Sequence, residues 1–251
     1  MDTALTIKTD EYAIADLPLT TILAVELGSR AYGLATPTSD VDVMVIYVET
    51  PDMVFRPNMQ PVVDATRRPR PVGEPSQPGD VEVSLYSLRR FLSLVDKGSI
   101  QHVSALFAPP IYVSQFGNAM RYSAWDTFKN DDFIKASLGL ADYSHSKFKD
   151  PMTTHRFKQA ALAHRTLLSC KQLVRERAIS FPLERAHIEY LRDVREGLVR
   201  YKECCEWYAI LRQSLVSITE GRTVFERQSL ETRSQYIAKQ HSDYWNLYLT
   251  Q

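Results

Sequence analysis

Hydrophobic positions along the 251-residue chain follow two different rhythms, and the change comes near residue 115. Before it, short apolar runs rich in Val and Ile sit between turn signals, as buried strands do. TILAVEL (21–27) ends at Gly28, VDVMVIYV (41–48) has the composition of a central strand, and VEVSLY (81–86) alternates apolar with polar residues. From Ser87 the spacing becomes helical: SLRRFLSLVDKG has apolar residues at 88, 91, 92, 94 and 95, then Gly98 as a C-cap. IQHVSALF follows as a short helix stopped by Pro109 and Pro110. Further helices are expected near 118–129, 131–147, 154–177, 184–197, 199–218 and 226–249. The pattern predicts an α+β chain with a mixed sheet and helices over 1–115 and a helical domain over 116–251, which would close a ligand cleft between them.

Between the strand candidates 41–48 and 81–86 lies a proline-rich stretch, with prolines at 51, 57, 61, 69, 71, 75 and 78. Regular structure is hard to sustain there. RRPRPVGEPSQPGD (67–80) reads as a long exposed loop, made locally basic by Arg67, Arg68 and Arg70. Those arginines would suit a nucleic-acid backbone or a solvated loop.

Composition narrows the classes. Lys plus Arg and Asp plus Glu are equal at 30 each, so the formal charge is zero. That argues against a protein that coats nucleic acid non-specifically, and it leaves room for self-association into a homo-oligomer. The three cysteines, Cys170, Cys204 and Cys205, form no CxxC pair, so neither a disulfide framework nor a zinc site is expected and a cytoplasmic location fits. The opening segment has acidic residues and no apolar core region, and no apolar run approaches a membrane span of about 18 residues. A soluble protein is expected.

The chemistry concentrates in LGSRAYGLATPTSDVDVMVIYV, residues 27–48. Gly28 allows close approach of backbone to a ligand, and Ser29 with nearby backbone N–H groups can hold a phosphate. Asp40 and Asp42 open a strand and point the same way, roughly 7 Å apart, because strand side chains alternate faces. Two such carboxylates repel unless a cation lies between them, and hard oxygen ligands of this kind suit Mg²⁺. Glu82, between Val81 and Val83, offers a third carboxylate, with Asp80 as its competitor. Three carboxylates can hold two Mg²⁺ or Mn²⁺ ions, the arrangement used for nucleotidyl transfer. A lone Asp-X-Asp is more often a turn cap or a solvated edge; the combination with Gly-Ser and the later Glu is far more specific.

GSRAYGLATPTSDVDVMVIYV resembles the signature of the DNA polymerase β-like nucleotidyltransferase superfamily: hydrophobic-Gly-Ser, a spacer, Asp-hydrophobic-Asp, then a later carboxylate between hydrophobics. More closely it resembles the RlaP-like branch, predicted nucleotidyltransferases associated with RNA repair. The likeness continues through LYSLRRFLSLVDKGSIQHVSALFAP, KQAALAHRTLL and EYLRDVREG, and spans roughly residues 22–215. Two departures stand out. The branch often has Asp where Glu82 stands, and a histidine where Leu162 stands, with His164 nearby.

The resemblance implies an NTP substrate, ATP foremost. Asp40, Asp42 and Glu82 would be catalytic and metal-binding residues; Gly28, Ser29, Arg30, Lys158 and Arg165 would bind nucleotide. Lys158 and Arg165 share one face of a helix and equally fit a solvated basic face. Arg30 could pair with a phosphate and Tyr32 pack on the base, or both could be packing residues. The acceptor is an RNA end, a protein hydroxyl (AMPylation, as in antitoxin-type enzymes) or a small molecule. A catalytically inactive nucleotide-sensing module is the non-enzymatic alternative.

Overall fold

A hairpin of β1 (Leu5–Lys8) and β2 (Ala13–Leu17) opens the fold in the computed structural model, which describes residues 4–37, 39–55, 65–67 and 80–248. There follow β3 (Thr21–Glu26), the single turn α1 (Gly28–Ala31), β4 (Val41–Tyr47), α2 (Pro51–Phe55), β5 (Ala65–Arg67) and β6 (Val81–Ser87). Then come α3 (Leu88–Asp96), α4 (Ile100–Phe107) and β7 (Pro110–Val113). The helices α5 (Gln115–Phe128), α6 (Asp132–Lys149), α7 (Arg156–Glu176), α8 (Arg185–Glu196), α9 (Tyr201–Thr219) and α10 (Leu230–Tyr248) complete the described chain. No helix among the described residues is long and apolar enough to cross a membrane.

The main sheet has the order β5-β6-β4-β3-β7. It is mixed: β4 and β6 are parallel, and the other pairs are antiparallel. The expected α+β class therefore holds. Its central strand β4 is apolar on both faces, as a strand covered on both sides must be. Val41, Val43, Val45 and Tyr47 pack with Ile7, Ile14 and Leu17 of the hairpin. Met44, Ile46 and Val48 face the helices. Met44, Val45, Ile46 and Tyr47 are at most 1% exposed, and burial of each such side chain stabilises by about 2 kcal/mol. A one-residue slip would exchange the two faces and lose that packing, so the register of β4 is pinned. The same pinning fixes which way Asp42 points: by alternation it shares the helical face with Met44 and Ile46.

The proline-rich stretch holds more order than its composition suggests. Pro51 begins α2, a position where its missing N–H costs nothing. β5 adds to the open edge of β6, the place in a sheet most tolerant of such neighbours. Arg68, Arg70 and the rest of 68–79 lie outside the described residues. The same edge logic explains β7, which starts at Pro110 and pairs with β3 on the opposite margin.

The helices α6, α8 and α9 pack around α7, whose buried residues include Leu167, Cys170 and Leu173. The larger core joins the two halves of the chain, from Ile22 on β3 to Tyr244 on α10. Gly98 closes α3 at φ +74°, and a Cβ there would meet the backbone of Phe133 at 2.5 Å. That close approach seats α6 against the first half of the chain.

Candidate active site

The site begins where β3 runs out. The Leu27 N–H donates to the Asp42 carbonyl at 2.8 Å, extending the pairing of the two strands by one step. Gly28 then turns with φ +65°, a left-handed conformation that side chains disfavour. A Cβ at this position would lie 1.9 Å from Asp42 Oδ2. Glycine is thus required for the Asp42 carboxylate to stand against the turn. Ser29 and Arg30 accept backbone bonds from Leu34 (2.7 Å) and Gly33 (2.9 Å), which closes the turn tightly. Because α1 is one turn long, Gly28 and Ser29 form a cradle from a bend rather than from the end of a long helix.

Asp40 precedes β4 and Asp42 is its second residue. Ser39 shapes the approach, accepting from the Thr36 N–H at 3.0 Å; Thr38 lies outside the described residues. In the parallel pairing of β4 with β6, Asp42 stands opposite Glu82. Asp80 lies one step beyond, its carbonyl accepting from the Val41 N–H at 2.8 Å. The Asp42 carboxyl is held above its ordinary range, first by burial, then by the charges of Asp40 and Glu82, while Lys158 and Arg165 oppose the shift. The negative charge here is therefore incompletely compensated, which is the field a divalent cation relieves.

The compensating cations come from the helical half. Lys158 and Arg165 on α7 line a cleft of about 180 Å³ together with Gly28, Ser29, Asp40 and Asp42. Arg165 rests over the Tyr32 ring at 4.3 Å, a cation–π contact that fixes its plane. Burial lowers its pKa, as does Arg195, while Tyr32 and Asp42 pull it back up. The Tyr32 hydroxyl is 2.9 Å from Ser104 Oγ, so Tyr32 is a buried support for Arg165.

Arg195 on α8 also lines the cleft, and sequence reasoning missed it. Its guanidinium donates to the Leu34 carbonyl at 3.0 Å, and Arg192 donates to the Gly33 carbonyl at 2.7 Å. The two arginines are three apart on EYLRDVREG, so they share a helix face. That spacing was the available signal.

Arg30 is directed elsewhere. It bonds Glu26 at 2.9 Å and pairs with Glu11, and Glu26 also accepts from the Tyr12 hydroxyl at 2.9 Å. Arg30 does not line the cleft. His164 is fully buried, with its ring nitrogens facing the carbonyls of Ala160 (2.9 Å) and Cys204 (3.2 Å). Leu162, not His164, is the residue at the cleft wall. His155 and Arg156 open α7 without lining the cleft, and His145 stacks on Tyr208 at 3.8 Å.

Among the described residues no three His, Cys, Asp or Glu side chains stand close enough to cage an ion unaided. The donor set still fits Mg²⁺, which takes one or two protein carboxylates and fills its remaining positions from water and substrate phosphate. Asp40, Asp42 and Glu82 are hard oxygen donors in a field that favours a cation.

The family described as RlaP, RNA repair pathway DNA polymerase beta family, matches residues 5–241. The chain belongs to this family. It is a polymerase β-like nucleotidyltransferase. No curated protein matches it. A solved nucleotidyltransferase-like protein from Exiguobacterium sibiricum 255-15 is similar over 92% of this chain and 86% of that one, at 10% identity and a TM-score of 0.32. In this RlaP-family chain, the Gly-Ser turn and the Asp-X-Asp strand meet at one place, under α7.

Proposed function

We propose that this RlaP-family chain transfers a nucleoside monophosphate from an NTP, ATP foremost, to an acceptor hydroxyl at an RNA end. The observation that carries this reading is the cleft in which Asp40 and Asp42 face Lys158, Arg165 and Arg195. A triphosphate needs cations around its outer oxygens, and the reacting phosphorus needs a place near the carboxylates. In this reading residues 1–115 supply the carboxylates and 116–251 supply the cations.

The acceptor oxygen attacks the α-phosphorus and forms a new O–P bond. The bond from the α-phosphorus to the bridging oxygen breaks, and pyrophosphate leaves with the electron pair. The acceptor's proton passes to a carboxylate, for which Glu82 is chosen over Asp80 because Glu82 stands opposite Asp42 and acts on it. Asp40, Asp42 and Glu82 would hold two Mg²⁺ or Mn²⁺ ions, which when bound there supply charge neutralisation and an acidified acceptor hydroxyl. Lys158, Arg165 and Arg195 orient the triphosphate so that attack and departure lie in line. Gly28 and Ser29 receive its inner oxygens.

The test is incubation with each labelled NTP, Mg²⁺ or Mn²⁺, and either total RNA or protein lysate. Label in RNA with pyrophosphate release is expected, and Asp42→Ala abolishes it. Label in protein instead establishes AMPylation. Binding of Mg-ATP with no transfer to any acceptor establishes a sensing module. An Asp42→Ala variant that labels as well as the parent removes the metal-site assignment.

A further inference from the structure

The cleft beneath α7 is not a single chamber. A second cavity, of about 350 Å³, shares Gly28, Asp42, Leu162 and Arg165 with the first. The two differ in chemistry. The first adds Asp40, Lys158 and Arg195, all charged. The second adds no charged residue; its apolar wall is Leu27, Ile100 and Leu140, and its polar groups are Gln101, Ser104, Thr166 and Ser169. Ser169 is fully buried, and its hydroxyl has no hydrogen-bond partner. A buried hydroxyl at a cavity wall with nothing to bond is an unmet demand that a ligand can satisfy.

We propose that this second cavity receives the base and ribose of the NTP, while the triphosphate passes Asp42 and Arg165 into the charged lobe. The proposal rests on the nucleotidyltransferase reading of the cleft and adds which residues select the nucleoside. A nucleoside is uncharged, has apolar ring faces and carries donors and acceptors along its edges. That matches an aliphatic wall interrupted by hydroxyls and an amide, and the volume lies at the lower end of small-molecule sites, about 300–1,000 Å³. An RNA end fits worse. It brings a phosphodiester at every step and needs an open, cationic track, whereas Thr166 and Ser169 are 2% and 0% exposed. Arg165 marks the junction, its guanidinium held on Tyr32.

The experiment compares binding of Mg-ATP and of inorganic tripolyphosphate by titration calorimetry. It uses the parent, Ser169→Leu, which fills the cavity, and Ser169→Ala, which removes only the hydroxyl. Thermal melts confirm that each variant folds, and Thr166→Leu at the same wall, which also adds bulk, replaces Ser169→Leu if that one does not. Ser169→Leu should weaken ATP by about tenfold or more and Ser169→Ala by about threefold, the scale of one neutral hydrogen bond. Tripolyphosphate should bind all variants equally. Unchanged ATP affinity in the folded variants overturns the assignment, as does equal loss of both ligands. Slower transfer to RNA at unchanged ATP affinity also overturns it, by giving the cavity to the acceptor. A parent that binds tripolyphosphate but not ATP defeats this proposal alone; a parent that binds neither defeats the functional reading, and this one with it.

Discussion

Asp42 and Glu49 stand at opposite ends of the central strand, and the fold treats their charges in opposite ways. Around Asp42 burial, Asp40 and Glu82 all push the carboxyl toward protonation, and Lys158 and Arg165 only partly offset them. Glu49, 3% exposed, is surrounded by partners. His241 Nε2 lies 2.9 Å from its Oε2, Arg89 is 3.6 Å from Oε1, and the Trp245 indole donates to its carbonyl at 2.8 Å. Bonding to His241 lowers the Glu49 pKa in spite of burial, and the His241 pKa is raised. The second ring nitrogen of His241 faces the Ile237 carbonyl at 2.9 Å, so an imidazolium can donate at both ends. One end of the strand is thus a latch that pins α10 to the sheet. The other leaves negative charge only partly compensated, the usual condition of a group meant to meet a ligand.

Removing each charge should separate the two roles. Asp42→Asn should reduce nucleotide transfer by about three orders of magnitude or more, the scale seen when a catalytic carboxylate or oxyanion donor is lost. Its melting temperature should stay level or rise, since the variant relieves repulsion. A stability loss without an activity loss would invert the comparison. Glu49→Gln should do the reverse. Breaking a buried ion pair costs about 3 kcal/mol, a fall on the order of 6–12 °C in a chain of this size, read by calorimetry. Transfer measured well below the melting point should change little.

The pH dependence of that stability difference sharpens the point. His241 has a folded pKa above its ordinary 6.5, so its contribution is complete below 6.5 and fades as pH rises through the folded value. Glu49 has a folded pKa below its ordinary 4.5, so its contribution is complete above 4.5 and fades as pH falls through the folded value. The parent should therefore exceed Glu49→Gln by most between pH 4.5 and 6.5. A gap that grows steadily above pH 7 would show that His241 is not the partner that matters. The smallest effect expected is from Arg195→Ala, which should weaken tripolyphosphate and ATP alike by about three- to tenfold, the scale of one ordinary hydrogen bond, without altering the latch.

Much of this contrast was legible before any coordinates. The apolar run 41–48 announced a two-faced central strand, and the Gly-Ser and Asp-X-Asp elements announced the carboxylate end. The long helices were legible because each repeats its apolar stripe over several turns; THRFKQAALAHRTLLSCKQLVRER became α7. The hairpin β1–β2 and the edge strand β7 were not, because each is four or five residues long and exists only through its partner. The direction of Arg30 could not be read either: Glu26 and Glu11 claim it, and Glu11 reaches it only through the fold of the hairpin. Arg195 reaches the cleft from the far half of the chain, and the Glu49–His241 pair spans 192 positions. Local pattern names chemistry well, and it is silent about long-range partners.

The most direct measurement is the fate of each phosphate of the donor. ATP labelled at the α-phosphorus and ATP labelled at the γ-phosphorus are incubated separately with the parent protein, Mg²⁺ and RNA, with Asp42→Asn in parallel. Nucleotidyl transfer at Asp42 predicts α-label on the acceptor, γ-label only in released pyrophosphate, and neither product from Asp42→Asn. Label from the γ-phosphorus on the acceptor, or transfer of α-label that persists in Asp42→Asn, would contradict it.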